Sequence, residues 1–153
     1  MKKWTLFILI LVLIPFLAAA EQEVQLQESR FRLTLPDWMT YEAPMDKDLG
    51  VHAYTSNILE MDYSVYPKAE AVRQGMPETL LDTAKSWVNQ GRDAELRRVN
   101  GIEMLCFRVI DEADGTPCIA YVFEDTGWLI EISFWYATQE AADLTAEIMT
   151  SIH

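Results

Sequence analysis

The chain has 153 residues, 50% of them hydrophobic, with 24 acidic side chains against 12 Lys and Arg and a formal charge of −12. Such a surface repels nucleic-acid phosphates and anionic lipid, which are recognised by clustered Lys and Arg, so neither is an expected partner. It suits solubility outside a cell, or a basic partner protein.

The first residues set the compartment. Lys2 and Lys3 precede an apolar run from Trp4 to Leu17, interrupted only by Thr5 and Pro15, and Ala18-Ala19-Ala20 follows with small side chains before Glu21. That order is the order of a secretory signal peptide, here residues 1–20. The run is shorter than the roughly 20 apolar residues that span a bilayer, and Pro15 would end a helix inside it. A cleaved leader is therefore expected ahead of an uncleaved membrane anchor. No Cys follows it, so no lipid anchor is expected. Residues 21–153 then make one domain of ordinary size, exported and without a membrane segment. Loss of Lys2 and Lys3 leaves 10 basic against 24 acidic side chains in that domain, a formal charge of −14.

The domain opens with Val24 and Leu26 alternating with Gln, loses phase at Glu28-Ser29, and resumes with Phe31, Leu33 and Leu35 until Pro36. Two short strands, or one strand with a bulge, account for that step. Asp37 to Asp48, with Pro44 and several acids, reads as a loop. Val51 to Thr55 and Ile58 to Tyr66 flank Ser56-Asn57 as a hairpin, the second strand alternating Leu59, Met61, Tyr63 and Val65 with polar residues. Pro77 to Gln90 changes period. Leu80, Ala84, Trp87 and Val88 recur at helical spacing, with Pro77 at the first helical position and Gly91 at the end.

Four strands follow. Ala94 to Val99 and Ile102 to Ile110 join through Asn100-Gly101, a two-residue turn whose positions both tolerate positive φ. Cys118 to Glu124 and Trp128 to Tyr136 continue the meander. Each connection is too short for a crossover, so neighbours must be antiparallel. A second helix closes the chain, capped by Thr138, with Ala141, Leu144, Ile148 and Ile152 along one face. The expected architecture is α+β: a single antiparallel sheet of six to seven strands, ending in a four-strand meander, covered partly on both sides by two main helices.

Chemistry-bearing residues are sparse. Cys106 and Cys118 form a candidate disulfide in an exported chain, but as neighbours on a hairpin their facing depends on register, and two buried free thiols are expected slightly ahead of a bridge. His52 and His153 lie in no ligand or triad spacing, so His52 reads as a sheet residue. Asp111 to Gly115 resembles a calcium loop, yet Ala113 stands where an oxygen is needed, and a turn is the simpler reading. Asp46, Asp48 and Glu42 are taken as solvated loop acids. Scattered glycines make no phosphate cradle, so no cofactor and no metal is expected.

The segment Phe31-Arg32-Leu33-Thr34-Leu35-Pro36 with Trp38, the strand Met61 to Tyr66 before a helix, and the closing Ala146-Glu147-Ile148-Met149-Thr150-Ser151-Ile152 together resemble the Mog1/PsbP-like fold. The likeness spans nearly all of residues 21–153, and the order of its motifs carries it. It implies a binding or assembly protein rather than an enzyme. One branch of that fold assists the photosynthetic water-splitting complex, another binds a small GTPase, and exported bacterial members also occur. Neither branch's partner-binding motif is matched here, so no site residue is carried over.

Three functions are weighed. The first is a secreted, non-catalytic binding or assembly-support domain working through the Asp37–Gly50 loop and a sheet face. The second is a small-ligand or carbohydrate-binding module that stacks its ligand on Trp38, Tyr41 and Trp128, and it requires those rings to be exposed. The third is a hydrolase whose acid pair meets only in space.

Overall fold

A computed structural model describes residues 20–43 and 50–153. The leader thus lies outside the described residues, apart from Ala20, and so do Asp46 and Asp48. Element order is β1 (Glu21–Gln25), β2 (Arg32–Pro36), β3 (Thr40–Glu42), β4 (Val51–Thr55), β5 (Leu59–Pro67), α1 (Lys68–Arg73), α2 (Leu80–Asn89), β6 (Asp93–Val99), β7 (Ile102–Ile110), β8 (Pro117–Asp125), β9 (Trp128–Tyr136) and α3 (Gln139–Thr150). Every strand pair is antiparallel. Seven strands form one sheet in the order β3-β4-β5-β9-β8-β7-β6, and β1-β2 forms a separate two-stranded sheet. The fold is α+β, as the alternation and helical spacing require.

The phase break at Glu28 is the connection of the β1–β2 hairpin, where Glu28 takes φ 63° and the Leu26 N–H closes the turn on the Phe31 carbonyl at 3.0 Å. Asn100 and Gly101 take φ 50° and 84° between β6 and β7, the backbone that a two-residue turn demands.

Two local readings are corrected, and one element is added. The segment after Pro36 is not wholly a loop: Thr40-Tyr41-Glu42 pairs with Thr55-Tyr54-Ala53 as the edge strand β3. Three residues are too few to show a period, so this strand arises from docking onto β4. Helix α2 starts three residues past Pro77, at Leu80, and its N-cap Thr79 accepts the Asp82 N–H at 3.0 Å and satisfies a first-turn donor. A further helix, α1, follows directly on Pro67 and buries no residue fully, so it carries no apolar stripe in the sequence.

The two faces of the sheet have separate cores. On one face Met61, Tyr63, Phe123, Ile132 and Phe134 pack against Leu33 and Leu35 of the small hairpin and Ile148 of α3. Phe31 meets Phe123 edge-on at 5.1 Å. On the other face Leu80 and Ala84 of α2 cover Leu105, Val122 and Leu129, and Trp87 stands edge-on to Phe107 at 4.8 Å. Burying each of these large side chains contributes roughly 2 kcal/mol, so both layers matter to stability. The C-terminus is tied down by reciprocal backbone bonds between Arg32 and His153 (2.9 and 3.0 Å) and by the Asn100 amide on the Ile152 carbonyl.

Candidate functional site

The alternation that buries Met61 and Tyr63 turns Glu60, Asp62, Ser64 and Tyr66 to the opposite face, the face that carries α2. On β9 the same rule buries Ile130, Ile132 and Phe134 and turns Glu131, Ser133 and Trp135 to that face. Register places Glu60 opposite Trp135, Asp62 opposite Ser133, and Ser64 opposite Glu131. Helix α1 packs at the Tyr66–Leu129 end of this strand pair, leaving Glu60 exposed and Asp62, Ser133 and Trp135 half-buried. A polar strip on two rigid central strands results.

Its carboxyl groups are perturbed. Burial pushes Glu131 upward, partly offset by the Tyr66 hydroxyl, which donates to its Oε2 at 3.3 Å. Burial also raises Asp62, against the pull of hydrogen bonds from the Trp135 indole (3.2 Å) and from Glu60. Glu60 is raised by partial burial, then by the adjoining Asp62 charge and their shared hydrogen bond, and by the charge of Glu42 on β3. Two carboxyls side by side on one strand face hold on to a proton more readily than two separate acids do. Beside them the Trp135 ring offers a face that attracts cations. Such a surface can receive Lys or Arg side chains.

The strip is open. A groove of about 670 Å³ lies beside it, between α1 and β4–β5, lined by Val51, Ser64, Tyr66, Ala71 and Met76, and none of the three acids lines it. Among the described residues, no group of three His, Cys, Asp or Glu side chains could hold a metal ion. No helix among them is long and apolar enough to cross a membrane.

Trp38, Tyr41 and Trp128 are exposed at 37%, 39% and 43%, but they do not converge. Tyr41 lies in the cross-strand row Tyr41–Tyr54–Met61–Phe134, whereas Trp128 begins β9, opposite Pro67. Six residues of strand, about 20 Å, separate those rows. Trp38 sits on the turn just before β3, at Tyr41's side of the sheet. The Tyr41 ring stacks on His52, its hydroxyl 3.0 Å from Nδ1, and His52 stacks in turn on Tyr63 at 4.9 Å. His52 is thus one member of an aromatic row.

Cys106 and Cys118 are both free and buried. Cys106 is opposite Tyr121 and Cys118 is opposite Val109, so the two side chains lie on opposite faces of the sheet. Burial pushes the Cys118 thiol up to about 12. Asp111 to Gly115 is a turn, its Asp111 carboxylate accepting the Ala113 N–H at 2.7 Å. The acids of the open strip were not singled out in the sequence. Their signal was the polar half of the β5 and β9 alternation, which becomes a cluster only once those two strands are paired.

This sheet, its covering small hairpin and its C-terminal helix define a PsbP-like fold. The chain is similar to cyanobacterial PsbP (CyanoP) from Synechocystis sp. PCC 6803, with 14% identity and a TM-score of 0.59 over 88% of this chain and 92% of that one. It is also similar to a protein of Bacteroides thetaiotaomicron VPI-5482, with 12% identity and a TM-score of 0.55 over 80% of this chain. There it spans 44% of the longer chain. No protein-family profile matches the sequence, and no curated protein sequence does.

Proposed function

We propose that this chain is an exported, non-catalytic binding or assembly-support domain whose open β5–β9 strip receives a basic segment of a partner protein. The observation that carries the reading is the Glu60–Asp62 carboxyl pair beside Trp135, held on the two strands that join the first hairpin to the meander. Rigid strands fix the spacing of the acids without a closed pocket, which suits a broad surface partner better than a small substrate. The PsbP-like fold supports the reading at the level of architecture. A basic group seated there favours the ionised carboxylates, so binding should strengthen as pH rises through the raised carboxyl range.

The test is affinity capture from the native envelope with the wild-type protein and with a Glu60→Gln, Asp62→Asn double variant. One stoichiometric partner, recovered by the first and lost with the second, is expected. Turnover of a glycan by the purified protein, abolished in the same double variant, would overturn the reading in favour of an acid pair at work.

A second reading, a carbohydrate-binding module, keeps Trp38 and Tyr41 as exposed rings on one side of the sheet. Trp128 stands too far along β9 to join them. Glycan-array binding lost in Trp38→Ala but kept in Trp128→Ala would favour it.

A further inference from the structure

We infer that β6 is a self-complementary edge, through which two copies of this chain join their sheets antiparallel about a twofold axis at Leu96. Strand β6 is a terminal strand of the sheet, seven residues long, and among the described residues its only strand partner is β7. The two-residue turn at Asn100-Gly101 makes Val99 and Ile102 a hydrogen-bonded pair. By alternation, Arg97 and Glu95 also bond to β7, while Arg98, Leu96 and Ala94 turn their N–H and C=O groups outward. No hydrogen bond from another described element reaches the backbone of those three residues. An open row of this kind is a template for another strand, and natural edges normally carry a device against pairing.

Here the side chains select one pairing. Antiparallel strands related by a twofold axis through the sheet place a residue opposite its own copy. Centred on Leu96, Glu95 of each copy faces Arg97 of the other, and the outward backbone groups of Leu96 and of Ala94 with Arg98 meet as hydrogen-bonded pairs. Arg97 already bonds Glu95 within the chain, its Nε donating to Oε1 at 2.7 Å. The four charges then form a square in which every neighbour has the opposite sign. Centring on Glu95 instead sets two glutamates against each other, and centring on Arg97 sets two arginines against each other. Both are repulsive, because like charges directly opposite destabilise a strand pair.

Leu96 is half-buried, and α2, which packs on β6, carries Leu81 and Val88 at 48% and 52% exposure, seven residues apart on one side of the helix. A strand pair of this length is a small interface, so a reversible dimer in the micromolar range is expected.

Sedimentation equilibrium of the purified protein across that range tests this, with folding of each variant verified by circular dichroism. Wild type should dimerise. Arg97→Glu and Glu95→Arg, each alone, should raise the dissociation constant about tenfold or more, roughly the loss of 1.4 kcal/mol. The double variant Glu95→Arg, Arg97→Glu should restore it, since the square is only inverted. Amide exchange should slow with concentration at Ala94, Leu96 and Arg98 and stay constant at Glu95 and Arg97. A wild-type protein that stays monomeric throughout, a dimer indifferent to both single changes, or a double variant that fails to recover would each overturn the inference.

Discussion

The indole N–H of Trp135 on β9 donates to Oδ2 of Asp62 on β5 at 3.2 Å, joining side chains 73 positions apart in the chain. The bond runs diagonally, because register sets Trp135 opposite Glu60 and Asp62 opposite Ser133. It gives the half-buried Asp62 carboxylate a donor that partly offsets its loss of water. Trp135→Phe keeps a ring at this position and removes the donor. The Asp62 carboxyl should titrate at higher pH, and stability should fall by about 1 kcal/mol. Carboxyl-detected NMR titration with urea unfolding measures both.

Glu131 allows a pH prediction with a definite sign. Its carboxyl is raised in the folded protein, chiefly by burial, so the folded state holds the proton more tightly than the unfolded chain does. Its contribution is therefore fully present below the ordinary glutamate range and is lost as pH rises through the raised value. Glu131→Gln keeps an oxygen to accept from the Tyr66 hydroxyl and removes the ionisation. The variant should be more stable at neutral pH, and the gain should vanish near about pH 3.5. Urea unfolding at the two pH values decides it.

The cysteines should behave as inert thiols. Both are buried and free, and burial raises the thiol pKa of each, that of Cys118 to about 12. The thiolate is the reactive form, so labelling of the native protein should be slow, with two thiols per chain reacting rapidly after denaturation. Reductant should leave the melting temperature unchanged. An oxidised chain that migrates faster without reductant would contradict the opposite-face geometry.

Thr79 holds the start of α2. Its Oγ1 accepts the Asp82 N–H at 3.0 Å and donates to the Asp82 carboxylate at 2.8 Å, and its carbonyl accepts from the buried Thr83 hydroxyl at 2.9 Å. Thr79→Ala removes the first two bonds and keeps the third. A loss of about 1 kcal/mol is expected, whereas Pro77→Ala, two residues before the cap, should cost less. Thermal unfolding of the two variants separates these outcomes.

Local periodicity marks the buried side of the long central strand and of α2. Alternation through Leu59–Val65 marks inward residues at a two-residue period, and Leu80, Ala84 and Trp87 mark them at helical spacing. Asn100-Gly101 specifies its turn because few residue pairs tolerate positive φ at both positions. These signals are local, since they depend on bonds and side chains a few positions apart. The return of β9 to pair with β5, which brings Glu60, Asp62, Glu131 and Trp135 into one strip, arises from long-range packing. The same packing recruited Thr40–Glu42 as a strand on the edge of β4, and it set the thiols of Cys106 and Cys118 on opposite faces of the sheet. The partner that a strand takes depends on how all the apolar faces are buried together, a competition among distant segments that no local period records.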